Sequence, residues 1–304
     1  VSSTPPASEL RPRLPTPLQT VTDPRFEARG LRLLLKRDDR IHPDLPGNKY
    51  RKLVLNLERA RAEGHHTLLT FGGAYSNHLR ATAAAGRLLG FGTVGVVRGD
   101  ELADRPRNTS LARCEADGMR LHFIGRSAYR QKDDPEVLAA LRRQTATEDA
   151  YVIPEGGSNS LAVQGCTALG AELRGHTDVA AVACGTGGTL AGLAAGLGPG
   201  QRALGVPVLK GGFLGSETAA LQRAAFGAPG TNWTLDDRFH CGGYARATTE
   251  LTAFADDFED RHGLPVERIY VAKLLYALTA LSEEGAFAPG TRITAVVTGT
   301  PPAA

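Results

Sequence analysis

A chain of 304 residues, 42% of them hydrophobic, can bury a substantial core, which excludes a disordered segment or a small cross-linked scaffold. Its formal net charge of +3, with both signs intermixed along the chain, excludes the basic footprint of a nucleic-acid binder. Cys114, Cys166, Cys184 and Cys241 are scattered without a C-x-x-C pair, and no H-E-x-x-H pattern occurs, so no metal site or disulfide framework is expected and a cytoplasmic setting is. The proline- and serine-rich stretch 1–20 has no apolar leader core, and Val1 reads as a processed or trimmed start. No segment approaches the roughly 18 apolar residues of a membrane span.

In chain order, Leu31–Lys36 reads as a strand, Gly47–Asn48 as a turn and Lys49–Glu63 as a helix with Leu53, Leu57 and Ala60 on one face. Thr67–Phe71 is predicted as a buried strand ended by Gly72–Gly73. Ser76 and Asn77 then read as the N-cap region of an alanine-rich helix reaching about Leu89. Further strands are predicted at Thr93–Val97, Leu121–Ile124, Tyr151–Ile153, Val179–Ala183 and Arg292–Val297. Helices are predicted around Asn108–Asp117 and over Leu161–Leu173, Thr189–Leu197 and Ile269–Glu284. This alternation points to an α/β fold with parallel sheets covered on both faces.

Three places carry residue types suited to chemistry. Cys184-Gly185-Thr186-Gly187-Gly188-Thr189 joins a strand to a helix, where backbone N–H groups and the helix N-terminus favour a phosphate. It is no Walker loop, and Leu190 stands where a dinucleotide motif needs its third glycine, so a phosphate monoester suits it better than a nucleotide. Gly72-Gly73-Ala74-Tyr75-Ser76-Asn77-His78 offers a second helix N-terminus, suited to a carboxylate. Gly47-Asn48-Lys49 presents one of only six lysines at a helix start, where desolvation favours the neutral amine that Schiff-base chemistry needs. Taken singly, an ordinary strand–helix turn, a capping serine and a surface lysine explain each place as well. Together they are the parts that pyridoxal phosphate requires.

At these residues the chain resembles the 1-aminocyclopropane-1-carboxylate deaminase / D-cysteine desulfhydrase family of pyridoxal-phosphate enzymes. The markers are Lys36-Arg37-Asp38-Asp39, Gly47-Asn48-Lys49-Tyr50-Arg51-Lys52-Leu53, Gly72-Gly73-x-x-Ser76-Asn77-His78, Glu155-Gly156-Gly157-Ser158-Asn159, Gly185-Thr186-Gly187-Gly188-Thr189 and His240-Cys241-Gly242-Gly243-Tyr244-Ala245-Arg246. The resemblance implies the tryptophan-synthase-β-like fold (fold type II): two open, twisted, mostly parallel sheets flanked by helices. It implies a large cofactor domain from 1–50 and 161–304, a small domain from 51–160, and a homodimer. It also implies that Lys49 carries the cofactor, that Gly185, Thr186, Gly187, Gly188 and Thr189 hold its phosphate, that Asn77 meets its phenolic oxygen and that Thr298 meets its pyridine nitrogen. Ser76, Asn77 and His78 would then bind the substrate carboxylate or move protons, and Tyr244 and Tyr270 would be the active-site tyrosines.

The chain departs from the family pattern at Tyr270-Val271-Ala272-Lys273, where relatives carry Tyr-(Glu or Thr)-Gly-Lys, and at the closing Thr298-Gly299-Thr300, where Thr-Gly-Gly is usual. A Glu at the second position resembles the deaminase branch, and Val271 cannot make its contact to the pyridine nitrogen. The leading expectation is therefore a lyase or deaminase that eliminates a β-substituent from a small, D-cysteine-like amino acid. Lys49 would be the base, and Tyr270 or Tyr244 the acid. The alternatives are ring opening of the cyclopropane amino acid, and a non-catalytic protein that binds the cofactor or an amino acid.

Overall fold

The computed structural model describes residues 6–299; Val1 and Thr300 lie outside them. In chain order the elements are α1 (Pro6–Leu10), β1 (Leu18–Val21), α2 (Pro24–Glu27), β2 (Arg32–Lys36) and α3 (Asn48–Ala62). Then come β3 (Thr67–Gly72), α4 (Asn77–Leu89), β4 (Gly92–Arg98), α5 (Thr109–Ala116), β5 (Met119–Ile124), α6 (Arg126–Arg130), α7 (Pro135–Gln144) and β6 (Tyr151–Ile153). The remainder runs α8 (Ser160–Ala171), β7 (Val179–Cys184), α9 (Gly188–Gly196), β8 (Arg202–Pro207), α10 (Leu214–Phe226), β9 (Trp233–Leu235), α11 (Thr249–His262), α12 (Val271–Glu283) and β10 (Arg292–Val296).

The chain divides into two compact units, one of Leu53–Asn159 with the described part of Val1–Pro12, the other of Arg13–Lys52 with the described part of Ser160–Ala304. The start of the chain thus groups with the smaller unit, because α1 packs on α4 and Glu9 pairs with Arg61 at 2.7 Å. In that unit four parallel strands lie in the order β5-β4-β3-β6. Val94 and Val96 face Tyr129 and Leu141 on one side; Val97 faces Leu79, Leu111 and Cys114 on the other.

The larger unit holds a six-stranded sheet in the order β1-β2-β10-β7-β8-β9, parallel except for the edge strand β1. Because side chains alternate across a strand, Val179, Ala181 and Ala183 of β7 enter one core with Phe258 of α11 and Leu274 of α12. Ala180, Val182 and Cys184 enter the other with Leu169 of α8 and Leu190 of α9. Burial on both faces is what gives β7 its unbroken apolar run. Helices α8 and α9 meet backbone to backbone. A Cβ on Gly170, Gly192 or Gly196 would stand 2.3, 2.3 or 2.0 Å from the carbonyl oxygens of Leu193, Val163 and Thr167.

Beneath the first turn of α3 lies a buried charge network. Arg51 donates to both carboxylate oxygens of Asp38 (2.8 and 2.9 Å) and to both of Glu172 (2.9 and 3.1 Å). Lys36 pairs with Glu172, and Thr16 donates its hydroxyl to Asp38 at 2.7 Å. Burial alone would raise the Glu172 carboxyl, but hydrogen bonds and charge from Arg51 and Lys36 hold it below its ordinary value. The network ties the loop before β1, the end of β2, the first turn of α3 and the residue just after α8 to one another. Among the described residues, no helix is long and apolar enough to cross a membrane.

Candidate active site

The parallel strands of the larger unit end at one edge of the sheet, the edge at which open α/β sheets bind ligands. The chain leaves β2 there and returns through Gly47, whose φ of +66° and close approach admit no side chain: a Cβ would lie 1.8 Å from the Thr298 carbonyl oxygen. Lys49, in the first turn of α3, thereby follows a turn that lies against Thr298, two residues past the end of β10. Asn48 fixes the same turn to the neighbouring helix by donating from Nδ2 to Thr189 Oγ1 at 2.8 Å.

Part of the Lys49 side chain stays accessible, yet burial of its amine, together with the nearby Lys52 charge, lowers the pKa to about 7 from 10.5. Lys52, one turn further along α3, is buried, its pKa pushed down to about 8 by that burial. It donates to Thr186 Oγ1 at 3.3 Å. The i, i+3 spacing of two lysines on one helix face is a sequence signal for this second amine, which the reading of single motifs passes over.

The loop from Gly185 to Thr189 runs from β7 into α9. Gly187, at φ +77°, occupies the N-cap position and offers no capping side chain, so the N–H groups of the first turn of α9 have no side-chain acceptor from the cap. A Cβ there would lie 2.5 Å from Thr218 Oγ1. Tyr270 is the residue before α12; its N–H donates to Glu267 at 2.7 Å, and its hydroxyl lies 3.4 Å from where a Gly185 Cβ would stand. Tyr244 packs edge to face on Tyr270, ring centroids 6.2 Å apart. The larger unit therefore gathers Lys49, Gly185, Thr186, Gly187, Gly188, Thr189, Tyr244, Tyr270 and Thr298 around the ends of β10 and β7. Val271 is buried in the apolar core.

In the smaller unit Ser76 caps α4, its hydroxyl accepting from Leu79 N at 3.2 Å. Asn77 opens the helix. His78 is buried; its Nε2 shares a 2.7 Å hydrogen bond with Thr70 Oγ1, which also donates to the Ile153 carbonyl at 2.8 Å. With the Thr70 proton committed to Ile153, Nε2 of His78 is the donor. The imidazole thus ties the first turn of α4 to β3.

Gly47→Ala is expected to cost about 3 kcal/mol or more, since a left-handed conformation and a backbone clash coincide there. Gly175→Ala, at φ +76° with nothing within 4 Å, costs about 1–2 kcal/mol. Equal midpoint shifts in urea unfolding would refute the close approach at residue 47.

A family model described as pyridoxal-phosphate dependent enzyme matches residues 10–299. The bifunctional D-cysteine desulfhydrase/1-aminocyclopropane-1-carboxylate deaminase, mitochondrial, of Arabidopsis thaliana is 34% identical over 213 residues, 62% of this chain and 53% of that protein. The chain thus spans about half the length of that relative. A solved structure described as an ACC deaminase homologue superposes with a TM-score of 0.81 at 25% identity, covering 98% of this chain and 95% of the other. A hydrogen sulfide-producing enzyme from Fusobacterium nucleatum shares the fold, with a TM-score of 0.68 at 14% identity over 99% of this chain and 98% of its own.

Proposed function

The chain belongs to the pyridoxal-phosphate dependent enzymes, and from that premise we propose a lyase or deaminase that takes a small, D-cysteine-like amino acid to a 2-oxo acid and ammonia with loss of its β-substituent. The observation that carries this reading is the meeting, at one sheet edge, of an amine of pKa about 7, an uncapped glycine loop and a tyrosine hydroxyl. These residues fit the cofactor: the loop and Lys52 suit its phosphate, and Lys49 suits its aldehyde. When bound, pyridoxal phosphate supplies an electron sink for the charge left by a departing Cα proton.

In this reading the N–H groups of Gly185 through Thr189 hold the phosphate, with Lys52 as counter-charge. Asn48 keeps α3 and α9 in register. Thr298 donates to the pyridine nitrogen. From the smaller unit we assign Asn77 to the phenolic oxygen, Ser76 and the helix N-terminus to the substrate carboxylate, and His78 to orienting that turn. The neutral Nζ of Lys49 takes the Cα proton, and the hydroxyl of Tyr270, or of Tyr244 beside it, gives a proton to the leaving group. Ring opening is disfavoured because Val271 packs in the core where the deaminase branch carries an acid. With the family resemblance we also propose a homodimer, and a reducing, cytoplasmic setting for the free cysteines.

The deciding measurement is 2-oxo acid release from D-cysteine, L-cysteine, 3-chloro-D-alanine, D-serine and the cyclopropane amino acid. Turnover of the β-substituted D-amino acids without the cyclopropane compound is expected. Turnover of the cyclopropane compound alone sinks the elimination reading, and inactivity on all five by protein that has bound the cofactor favours a binding protein.

A further inference from the structure

Apart from Lys36, whose charge meets Glu172, the steps above leave one buried lysine amine unused. Lys273 lies fully buried in the first turn of α12, three residues after Tyr270 and therefore on the same helix face. Its Nζ donates to two carbonyl oxygens, those of His240 (2.8 Å) and Gly243 (2.7 Å), and among the described residues it takes part in no ion pair. Burial holds its pKa below the ordinary lysine value, against the opposing pull of Cys241 and Glu267.

The segment it grips is strained. Cys241, Gly242, Gly243 and Ala245 all have positive φ (51°, 87°, 113° and 54°), and two of the four carry a Cβ. Such backbone persists only where its surroundings over-determine it. An apolar side chain of similar length would fill the Lys273 site without desolvating an amine, so packing alone does not account for a lysine there. Between the two gripped carbonyls and Ala245 the loop carries Tyr244, whose ring rests on Tyr270.

We propose that Lys273 is a positioning residue: its two hydrogen bonds hold residues 240–246 in their left-handed path and so set Tyr244 against Tyr270 for proton transfer. The catalytic part of this rests on the assignment of the two tyrosines made above; the holding of the loop does not.

The test uses the holoenzyme and Lys273→Met. Amide exchange over 240–246 is expected to quicken about tenfold or more, since a charge-assisted pair of hydrogen bonds is lost from a locally opening segment. Turnover is expected to fall about tenfold in kcat with KM within about twofold, while the borohydride-trapped adduct on Lys49 still forms in full. Because the effect passes through Tyr244, Lys273→Met/Tyr244→Phe is no slower than Tyr244→Phe. Unchanged exchange, or losses that multiply in the double variant, overturns the proposal. If wild-type protein binds the cofactor but turns over none of the amino acids, the functional reading fails and the exchange comparison alone decides whether Lys273 holds the loop. Should Lys273→Met not fold, Lys273→Arg, which keeps the cation but cannot bring one nitrogen to both carbonyls, is scored by the same readouts.

Discussion

Lys49→Ala protein is expected to give no borohydride-trapped pyridoxal adduct and to lose turnover by about a thousandfold or more, because the proposed base and the proposed attachment point disappear together. Lys52→Ala, by contrast, is expected to keep the adduct and bind the cofactor more weakly, since Lys52 donates to Thr186 in the loop proposed to hold the phosphate. The pH dependence of cofactor capture gives an independent check. Attack on the aldehyde needs the neutral amine, and a lysine of pKa 10.5 is neutral in only about one molecule in three thousand at pH 7. With Lys49 lowered to about 7, capture by the apo-protein is expected to rise as pH increases through that value and to level off above it. Capture that climbs only near pH 10 would show an ordinary solvated amine. Wild-type protein that never colours or traps would sink the enzyme reading itself.

Arg51→Met is expected to destabilise the protein by about 3–5 kcal/mol, read as a lowered midpoint in urea unfolding. This guanidinium donates four hydrogen bonds to carboxylate oxygens, and its removal leaves the buried Asp38 carboxylate with only the Thr16 hydroxyl among its side-chain partners. Adding Asp38→Asn to the same protein is expected to restore much of the loss, because the uncompensated charge is then gone. If the single variant shifts stability by less than about 1 kcal/mol, the network does not brace the fold. The acid limb carries a related signature. Glu172 has its pKa lowered in the folded chain, so its contribution is present above its ordinary value of 4.5 and is lost as pH falls through the folded one. Glu172→Gln should flatten that limb.

The parts of this fold that are legible in the sequence are those whose burial is symmetric or whose ends are chemically marked. Val179–Ala183 is readable because both faces of β7 are covered, and Ser76 because a serine before an alanine-rich run has one economical use. The stretch from 201 to 262 is harder. Strand β8 contains Gly205 and ends on Pro207, and β9 is three residues long, too short for any period to register. Helix α11 does align Leu251, Ala255 and Phe258, but charged residues crowd the rest of its surface.

In the candidate site, Lys49 and the glycine loop are readable from motif and position and Tyr270 only through the family resemblance, whereas the grip of Lys273 on two carbonyls is not readable at all. A lysine that bonds only to backbone leaves no complementary residue type in the sequence to betray it. His78 illustrates the same limit: its bond to Thr70 is local in sequence, eight residues away, yet invisible without the strand-to-helix turn between them.

The glycine seam between α8 and α9 has a bearing on how such an enzyme can change its substrate. Where Gly192 and Gly196 lie against the carbonyls of Val163 and Thr167, main chain rests on main chain, with no side-chain torsion between them to relax. The start of α9, and the loop Gly185–Thr189 that leads into it, therefore cannot be re-aimed by swapping rotamers; any displacement must carry α8 along. Innovation in such a protein has one inelastic end and one plastic end. The loop proposed to grip the phosphate is a fixed datum, and new specificity is expected to accumulate where side chains rather than peptide planes set the spacing, as Tyr244 does against Tyr270.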